Sequence, residues 1–478
     1  MLRGWKDLPF VMVNSTTGEE TVLPGEGLTV LLEGEVDSAL VLLTPSERLF
    51  LDSLVGSGRC SFLDRPSPLP NRKKYRRSEG VRITEVCWSI TGKCNLRCRH
   101  CYMGAPEQRY KDLETEDCLG LIRQMAAANV TRVSLTGGEP LLRPDFWRLV
   151  DAAEDEGIRV SSVLTNGVLL DEAFFMNMRR RNLSFGILIS YDGLGCHDWM
   201  RGVDGTEKKA IEAIKLARSF GHNVTVNMML HNDNLETLIR TYELLIDLGI
   251  QAMRVSTVDD AGCWRKYGSG PIPPERLFEE YLKLVRRFVE DGHPCALQLS
   301  KFYHGSPTDG DKIICVLGNG EKNLDSSACP YMREHPCLMP NGRLLPCPSF
   351  SDTHVEQNMP NLLEVPLASI YSNPEGYFWE VADTKLADVV ERDGECVDCP
   401  HKFECGGGAC RAGAAIQCGD FRGSDKLVCG FFKDGWRRRL ESVIYGCAEG
   451  FNRILGKGLH EPKGELLPVE KRVARHLL

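Results

Sequence analysis

Three cysteines crowd one short stretch, Cys94-Asn-Leu-Arg-Cys98-Arg-His-Cys101-Tyr, with three and then two residues between them. Three thiolates so placed can hold three irons of a four-iron cluster and leave the fourth iron open. Zinc, the bland alternative, prefers four ligands and paired two-residue spacings. A second concentration runs from Cys315 to Cys429 and contains Cys396-Val-Asp-Cys399-Pro-His-Lys-Phe-Glu-Cys405-Gly-Gly-Gly-Ala-Cys410. The chain holds 20 cysteines in 478 residues. Its start, MLRGWKDLPF, lacks the apolar stretch of a signal peptide, so a cytoplasmic location is expected. Reduced thiols at close spacing bind metal more often than they form disulfides.

Composition narrows the field. With 42% hydrophobic and 26% charged residues the chain reads as globular, and its length suggests two or three domains. No apolar run reaches the roughly eighteen residues of a membrane span. A net charge of -8 argues against nucleic acid as partner.

The elements that must position these cysteines are legible as repeated strand, loop and helix from about residue 83. Strands are expected at Ile83–Ser89, Arg132–Thr136, Arg159–Thr165, Phe185–Ser190, Asn223–Leu230 and Ala252–Thr257. Helical patterns fall near 115–128, 144–156, 170–181, 206–220, 234–248 and 275–291, with Gly157, Gly221 and Gly249 where helix ends want glycine. Such alternation implies parallel strands in an α/β fold, a partial (β/α)6 barrel, with sites at the C-terminal strand ends. Residues 1–80 form a small α+β N-terminal unit. Its strands are expected at Phe10–Asn14 and Gly27–Leu32, and Thr44 and Pro45 start a helix. The basic run at 72–77 reads as a linker. After about residue 300 the periodicity fades and Cys, Gly and Pro accumulate, so a loop-rich C-terminal domain over 301–435 would need iron–sulfur staples to order it. A helical tail follows at 436–478.

The cysteine loop directly after the first strand resembles that of the radical S-adenosylmethionine (radical SAM) family. That resemblance implies that Cys94, Cys98 and Cys101 carry the catalytic [4Fe–4S] cluster. S-adenosyl-L-methionine would bind the open iron and, on reduction, give a 5′-deoxyadenosyl radical. Just before Cys101, His100 stands at the position where the family often has an aromatic and would pack against adenine, and Tyr102 is a further expected cofactor contact. Thr136-Gly137-Gly138-Glu139-Pro140 matches the glycine-rich turn that binds the methionine amine, and Thr165-Asn166-Gly167 matches the turn after the third strand. Ser190-Tyr-Asp192-Gly193 and Arg201 resemble the serine and arginine that hold carboxylate and ribose, with Asn227 and Val255 as further contacts.

The second cysteine group resembles the SPASM domain, an auxiliary-cluster extension of peptide- and protein-modifying radical enzymes. By that resemblance Cys396, Cys399, Cys405 and Cys429 hold an outer [4Fe–4S] cluster. Cys329, Cys347 and Cys410 hold an inner one, whose fourth ligand is Cys315, the preferred choice, Cys337 or a substrate thiol. The chain would thus carry three [4Fe–4S] clusters. One residue more than usual separates Cys405 from Cys410, and Cys418 has no slot. The remaining thiols read as packed small apolar residues, although Cys263, after the sixth strand, is also placed to donate hydrogen to a substrate radical. The N-terminal unit resembles precursor-recognition elements. The expected function is radical maturation of a ribosomal peptide by a thioether or carbon–carbon cross-link, served by a flavodoxin- or ferredoxin-type electron donor. Peptide epimerisation, formylglycine formation and a multi-cluster electron carrier are the alternatives, and the cofactor turns argue against the carrier.

Overall fold

A computed structural model describes residues 2–8, 10–14, 20–23, 44–58, 75–268, 270–313 and 323–454. The expected strand at Gly27–Leu32 and Cys315 lie outside these residues, as does the tail beyond 454. At the N-terminus, β1 (Leu2–Gly4), β2 (Val11–Val13), β3 (Glu20–Val22) and β4 (Arg76–Arg77) form a four-stranded sheet in the order β3-β2-β1-β4. Trp5, Val11 and Val13 make its small core. The helix Pro45–Gly56 begins as its sequence demands: Thr44 and Glu47 complete a capping box, with proline in the first turn. One expectation is corrected here. Arg76 and Arg77, read as linker, are strand β4, paired in parallel with Arg3 and Gly4. A two-residue strand carries no periodicity that a sequence reading can detect.

Six parallel strands follow in spatial order: β5 (Val86–Ser89), β6 (Arg132–Thr136), β7 (Arg159–Thr165), β8 (Gly186–Ser190), β9 (Val224–Leu230) and β10 (Ala252–Thr257). Each connecting helix buries one stripe. In Pro274–Glu290 the buried positions are Leu277, Phe278, Tyr281, Leu284, Val285 and Phe288, spaced three and four apart. The glycines expected at helix ends, Gly157, Gly221 and Gly249, all adopt positive φ.

The sheet extends past the six units. Parallel β11 (Ala296–Leu299) adds to β10 and leads into the antiparallel β12 (Tyr303–Ser306) and β13 (Gly310–Ile313). At the opposite edge β14 (Cys337–Leu338) pairs in parallel with β5, and β15 (Leu344–Leu345) closes the row of eleven strands. The expected division at residue 300 therefore falls inside one continuous sheet, and a single apolar core runs from the barrel into the C-terminal residues. Those residues fold into short helices, among them His354–Gln357, Leu386–Arg392, Arg411–Cys418 and Lys426–Lys433, before the long Trp436–Ile454. Helices of four to eight residues are too short to repeat an apolar stripe, which is why the sequence read as loop-rich.

Candidate active site

The cysteine loop leaves the C-terminal end of β5 and is clamped by backbone from three other strand ends. Gly138 N donates to Thr91 O and Glu139 N to Lys93 O, both at 2.8 Å. Arg97 N reaches Arg201 O at 3.0 Å and Arg99 N reaches Met200 O at 2.8 Å, while Cys263 N reaches Cys101 O at 3.0 Å. Two adjacent glycines of one turn permit this closeness. A Cβ on Gly137 would stand 2.5 Å from Thr91 O, and one on Gly138 would stand 2.6 Å from the Lys93 carbonyl carbon. The Gly-Gly pair thus first serves to seat the cysteine loop.

Each of the three sulfurs receives its own N–H donor. Cys94 Sγ accepts from Leu96 N at 3.4 Å and from Asn166 Nδ2 at 3.9 Å, Cys98 Sγ from Arg201 Nη1 at 3.6 Å, and Cys101 Sγ from Ala105 N at 3.4 Å. Burial pushes all three thiols up, Cys94 to about 12, and neighbouring cysteines add to the rise at Cys94 and Cys101. Half-buried sulfurs that attract N–H donors yet resist ionisation alone have the chemistry of a donor set for a metal cluster, since hydrogen bonds to sulfur are a feature of iron–sulfur sites. Among the described residues no three His, Cys, Asp or Glu side chains close around one point as a single metal ion needs.

The other expected cofactor residues divide by what already engages them. Glu139 is fully buried, and its carboxyl accepts from Thr165 Oγ1 at 2.8 Å, Asn166 N at 2.9 Å and Leu141 N at 3.1 Å. It braces the turn after β6 to the turn after β7. Burial raises it to about 7, against the pull of those three donors. Asn166 also gives Nδ2 to Asn95 Oδ1 at 2.8 Å. Arg201 forms an ion pair with the fully buried Asp192 at 2.7 Å. Burial works against the Arg201 charge, and Asp192 and Cys98 more than restore it. Burial alone would raise Asp192, but Arg201 holds it below the usual range. The reading of Arg201 as a ligand for carboxylate overlooked this partnership, because nothing in residue spacing shows that Asp192 and Arg201 meet. His197 Nδ1 accepts from Asp192 N at 3.0 Å and completes the arrangement.

Burial lowers His100 to about 4, and its Nδ1 has no partner. A buried unpaired ring nitrogen beside the loop suits a ligand's hydrogen bond. Burial raises the Tyr102 hydroxyl well above its ordinary value, with Cys337, Cys87, Cys101 and Cys347 adding to it. Ser190 and Asn227 are half-buried partners in register, on one face of the sheet. Val255 differs: its side chain is fully buried in the apolar core, and its carbonyl accepts from Ser300 N at 2.8 Å. Its side chain alternates to the opposite face from Arg254. Cys263 turns its thiol to Glu107 at 3.6 Å rather than to an open space.

The C-terminal cysteines gather in two sets. Cys396, Cys399, Cys405 and Cys429 line one cavity together with Glu395, His401 and Lys433. Burial pushes Cys396 up to about 12, with Asp393 and the other three thiols reinforcing it. Cys329, Cys347 and Cys410 form the second set: burial pushes Cys347 up to about 12, followed by the neighbouring Cys410 and Cys329. The extra residue before Cys410 is taken up by a left-handed run, with φ of 61°, 67°, 78° and 43° from Gly406 to Ala409. Cys337 stands directly opposite Cys87 in the sheet, and contact with Cys87 and burial raise its thiol. Cys418 is exposed and bonds Ser424 O.

A network ties the first loop to the C-terminal residues. Arg109 bonds Glu356 at 2.7 Å and Asp352 at 2.9 Å, and Tyr110 gives its hydroxyl to Glu356 at 2.6 Å.

Comparison with known proteins fits this geometry. A family profile described as the radical SAM superfamily matches residues 88–245, which contain the cysteine loop and both glycine turns. The AdoMet-dependent heme synthase of Methanosarcina barkeri is 26% identical over 344 residues, 70% of this chain and 93% of that protein. The PqqA peptide cyclase of Gluconobacter oxydans is 25% identical over 313 residues, 64% of this chain and 82% of that protein. Among solved structures, Streptococcus suis SuiB bound to the precursor peptide SuiA superposes with a TM-score of 0.63 at 14% identity, covering 90% of this chain and 98% of SuiB. No helix among the described residues is long and apolar enough to cross a membrane. With the cysteine loop, the turns that seat it and the profile in agreement, the chain carries a radical SAM domain over residues 88–245.

Proposed function

We propose that this enzyme matures a peptide, using the catalytic cluster and two auxiliary [4Fe–4S] clusters to form a thioether or carbon–carbon cross-link. The observation that carries the reading is the small N-terminal sheet joined to the barrel. The likeness to SuiB spans 90% of this chain, whereas the match to the M. barkeri heme synthase spans 70%. Among the described residues strand β3 is one edge of that sheet, an edge to which an extended leader peptide can add by backbone pairing. Arg82 pairs with Glu20 on β3 and fixes the edge against the barrel.

In this reading Cys94, Cys98 and Cys101 hold three irons, Asn166 and Arg201 donate to two of the sulfurs, and Glu139 keeps the two turns together. Cluster and S-adenosylmethionine supply one-electron reduction and hydrogen-atom abstraction when bound. His100 offers its unpaired nitrogen to the cofactor, and Ser190 and Asn227 present hydrogen-bonding groups across the sheet face. Cys396, Cys399, Cys405 and Cys429 hold the outer auxiliary cluster. Cys329, Cys347 and Cys410 hold the inner one, completed by Cys315 or by a substrate thiol; Cys337 is engaged by Cys87. A flavodoxin- or ferredoxin-type protein supplies electrons.

A second reading follows from the heme synthase match, which covers 93% of that protein: a step of heme synthesis that uses S-adenosylmethionine. One experiment separates the two. The reconstituted enzyme is given dithionite, S-adenosylmethionine and either candidate peptides translated from any small open reading frames neighbouring its gene or an iron-coproporphyrin. Peptide maturation predicts loss of two hydrogens from the peptide, abolished by deleting residues 1–80 while uncoupled 5′-deoxyadenosine formation continues. Turnover of the porphyrin with an unchanged peptide contradicts it.

A further inference from the structure

Register across the barrel strands fixes which residues share a face. Ser190 of β8 stands opposite Asn227 of β9, and Asn227 stands opposite Arg254 of β10. Arg254 in turn pairs with Gln298 of β11, Gln298 with His304 of β12, and His304 with Lys312 of β13. Partners in register project to the same side of a sheet, so one polar row crosses these six strands without a break. Met253, Val255, Leu297 and Leu299 alternate to the other side, where they are fully buried in the apolar core.

Parallel strands are ordinarily covered on both faces and apolar on both. Here Arg254 is exposed in the middle of β10, although β9 and β11 flank that strand, and Lys312 is exposed as well. Gln298 and His304 between them are half-buried. Beside Arg254 on this face stand Ala252 and Ser256 along β10 and Asn227 and Gln298 across it, none of them acidic. Among the described residues no carboxylate pairs with Arg254 or Lys312. Arginines that brace the fold are engaged: Arg201 by Asp192, Arg143 by Asp145 and Arg109 by Glu356. Burial lowers His304, so it adds hydrogen-bonding capacity rather than charge; Asp309, which opposes that shift, sits in the turn between β12 and β13 and accepts from Ser306 Oγ at 3.3 Å. The row is thus cationic in a chain whose net charge is -8.

Its dimensions suit an extended chain. Neighbouring strands lie about 4.8 Å apart, so the row spans about 24 Å, the length of about seven extended residues. One end lies near the cysteine loop, since Ser190 is two residues from Asp192, whose partner Arg201 donates to Cys98. Arg254 stands about 10 Å along the row from that end, or about three extended residues.

We propose that this row binds an acidic segment of the peptide substrate, with Arg254 pairing to an aspartate or glutamate side chain. The proposal rests on the peptide-maturase reading. A guanidinium presents parallel N–H groups that match a carboxylate, which makes Arg254 a determinant of specificity rather than of the radical chemistry. The acidic residue lies about three positions from the residue held at the Ser190 end.

The test needs no natural substrate. The full reconstituted chain, supplied with S-adenosylmethionine but no reductant, selects from a displayed library of random decapeptides, in parallel for wild type, Arg254→Met and Arg254→Lys. Wild type should enrich Asp or Glu at one position, and Arg254→Met should lose that preference. A selected acidic peptide and its amide counterpart, Gln for Glu or Asn for Asp, are then titrated against each protein by fluorescence anisotropy. The amide should weaken binding to wild type about 10- to 100-fold, the scale of one charge-assisted pair, and binding to Arg254→Met by less than about twofold. Arg254→Lys should keep at least about a tenth of wild-type affinity for the acidic peptide. Peptides selected without an acidic preference overturn the proposal and leave the maturase reading standing. So does an acid-over-amide preference that survives in Arg254→Met, or an equal loss for acid and amide, which is the signature of a structural role. A wild type that retains no peptide also overturns the proposal, and if it instead binds iron-coproporphyrin, followed by absorbance, the maturase reading falls with it.

Discussion

Replacing Gly138 by alanine tests whether the glycine-rich turn seats the cysteine loop. The new Cβ would stand 2.6 Å from the Lys93 carbonyl carbon and 3.1 Å from Cys94 Cβ, so the two segments must separate by about 1 Å to reach ordinary contact. That separation strains the hydrogen bonds from Gly138 N to Thr91 O and from Glu139 N to Lys93 O, both at 2.8 Å. At about 1 kcal/mol for each bond, with about 1–3 kcal/mol for overpacking, the cost is roughly 3–5 kcal/mol. At about 2–4 °C per kcal/mol, the melting temperature of the cluster-free protein should fall by roughly 10 °C. Gly221→Ala is the control, because its φ is 79° and nothing lies within 4 Å of its Cβ. It should cost only about 1 kcal/mol of backbone strain. Anaerobic scanning fluorimetry reads the melting, and iron analysis after reconstitution reads the site, where Gly138→Ala should lose about four irons. A Gly138→Ala protein that melts with the Gly221→Ala control and keeps its iron would refute the close approach.

Other consequences follow from the same contacts. Because burial raises Glu139 to about 7, its contribution to stability is full below the ordinary carboxyl pKa of 4.5 and is lost as pH rises through 7. Relative to Glu139→Gln, the wild type should therefore lose roughly 3 kcal/mol between pH 4.5 and 8 in thermal melts; a constant difference would show that the carboxyl is ionised throughout. Glu356→Ala removes the partner of Arg109 and Tyr110 and should cost about 2–3 kcal/mol in denaturant unfolding, reduced from a fully buried pair because Arg109 is 34% exposed and keeps Asp352. Tyr110→Phe should cost about 1 kcal/mol. Changing Cys396, Cys399, Cys405 and Cys429 together to alanine should remove about four irons yet leave 5′-deoxyadenosine formation standing, measured by chromatography.

The barrel was legible because its strands and helices are long enough to repeat. Arg132–Thr136, Arg159–Thr165 and Ala252–Thr257 occur as their apolar patterns predict, and the cysteine loop and both glycine turns fall at strand ends. Short elements escaped notice: Arg76–Arg77, Cys337–Leu338 and the brief C-terminal helices hold too few residues to show a period. Side-chain partnerships across the fold were also hidden. Asp192 meets Arg201, and Lys301 meets Asp425, through packing that residue spacing does not encode. The burial of the Val255 side chain was hidden too, because a strand shows its period but not which of its faces turns to the helices.

The central claim is that Cys94, Cys98 and Cys101 hold the cluster that drives the chemistry, apart from the two C-terminal sets. Its most direct test is iron content and 5′-deoxyadenosine yield of the anaerobically reconstituted wild type beside the triple alanine variant of these three cysteines. The wild type should hold about twelve irons, and the variant should lose about four of them and cleave no S-adenosylmethionine. A triple variant with unchanged iron, or one that still forms 5′-deoxyadenosine, would contradict the account.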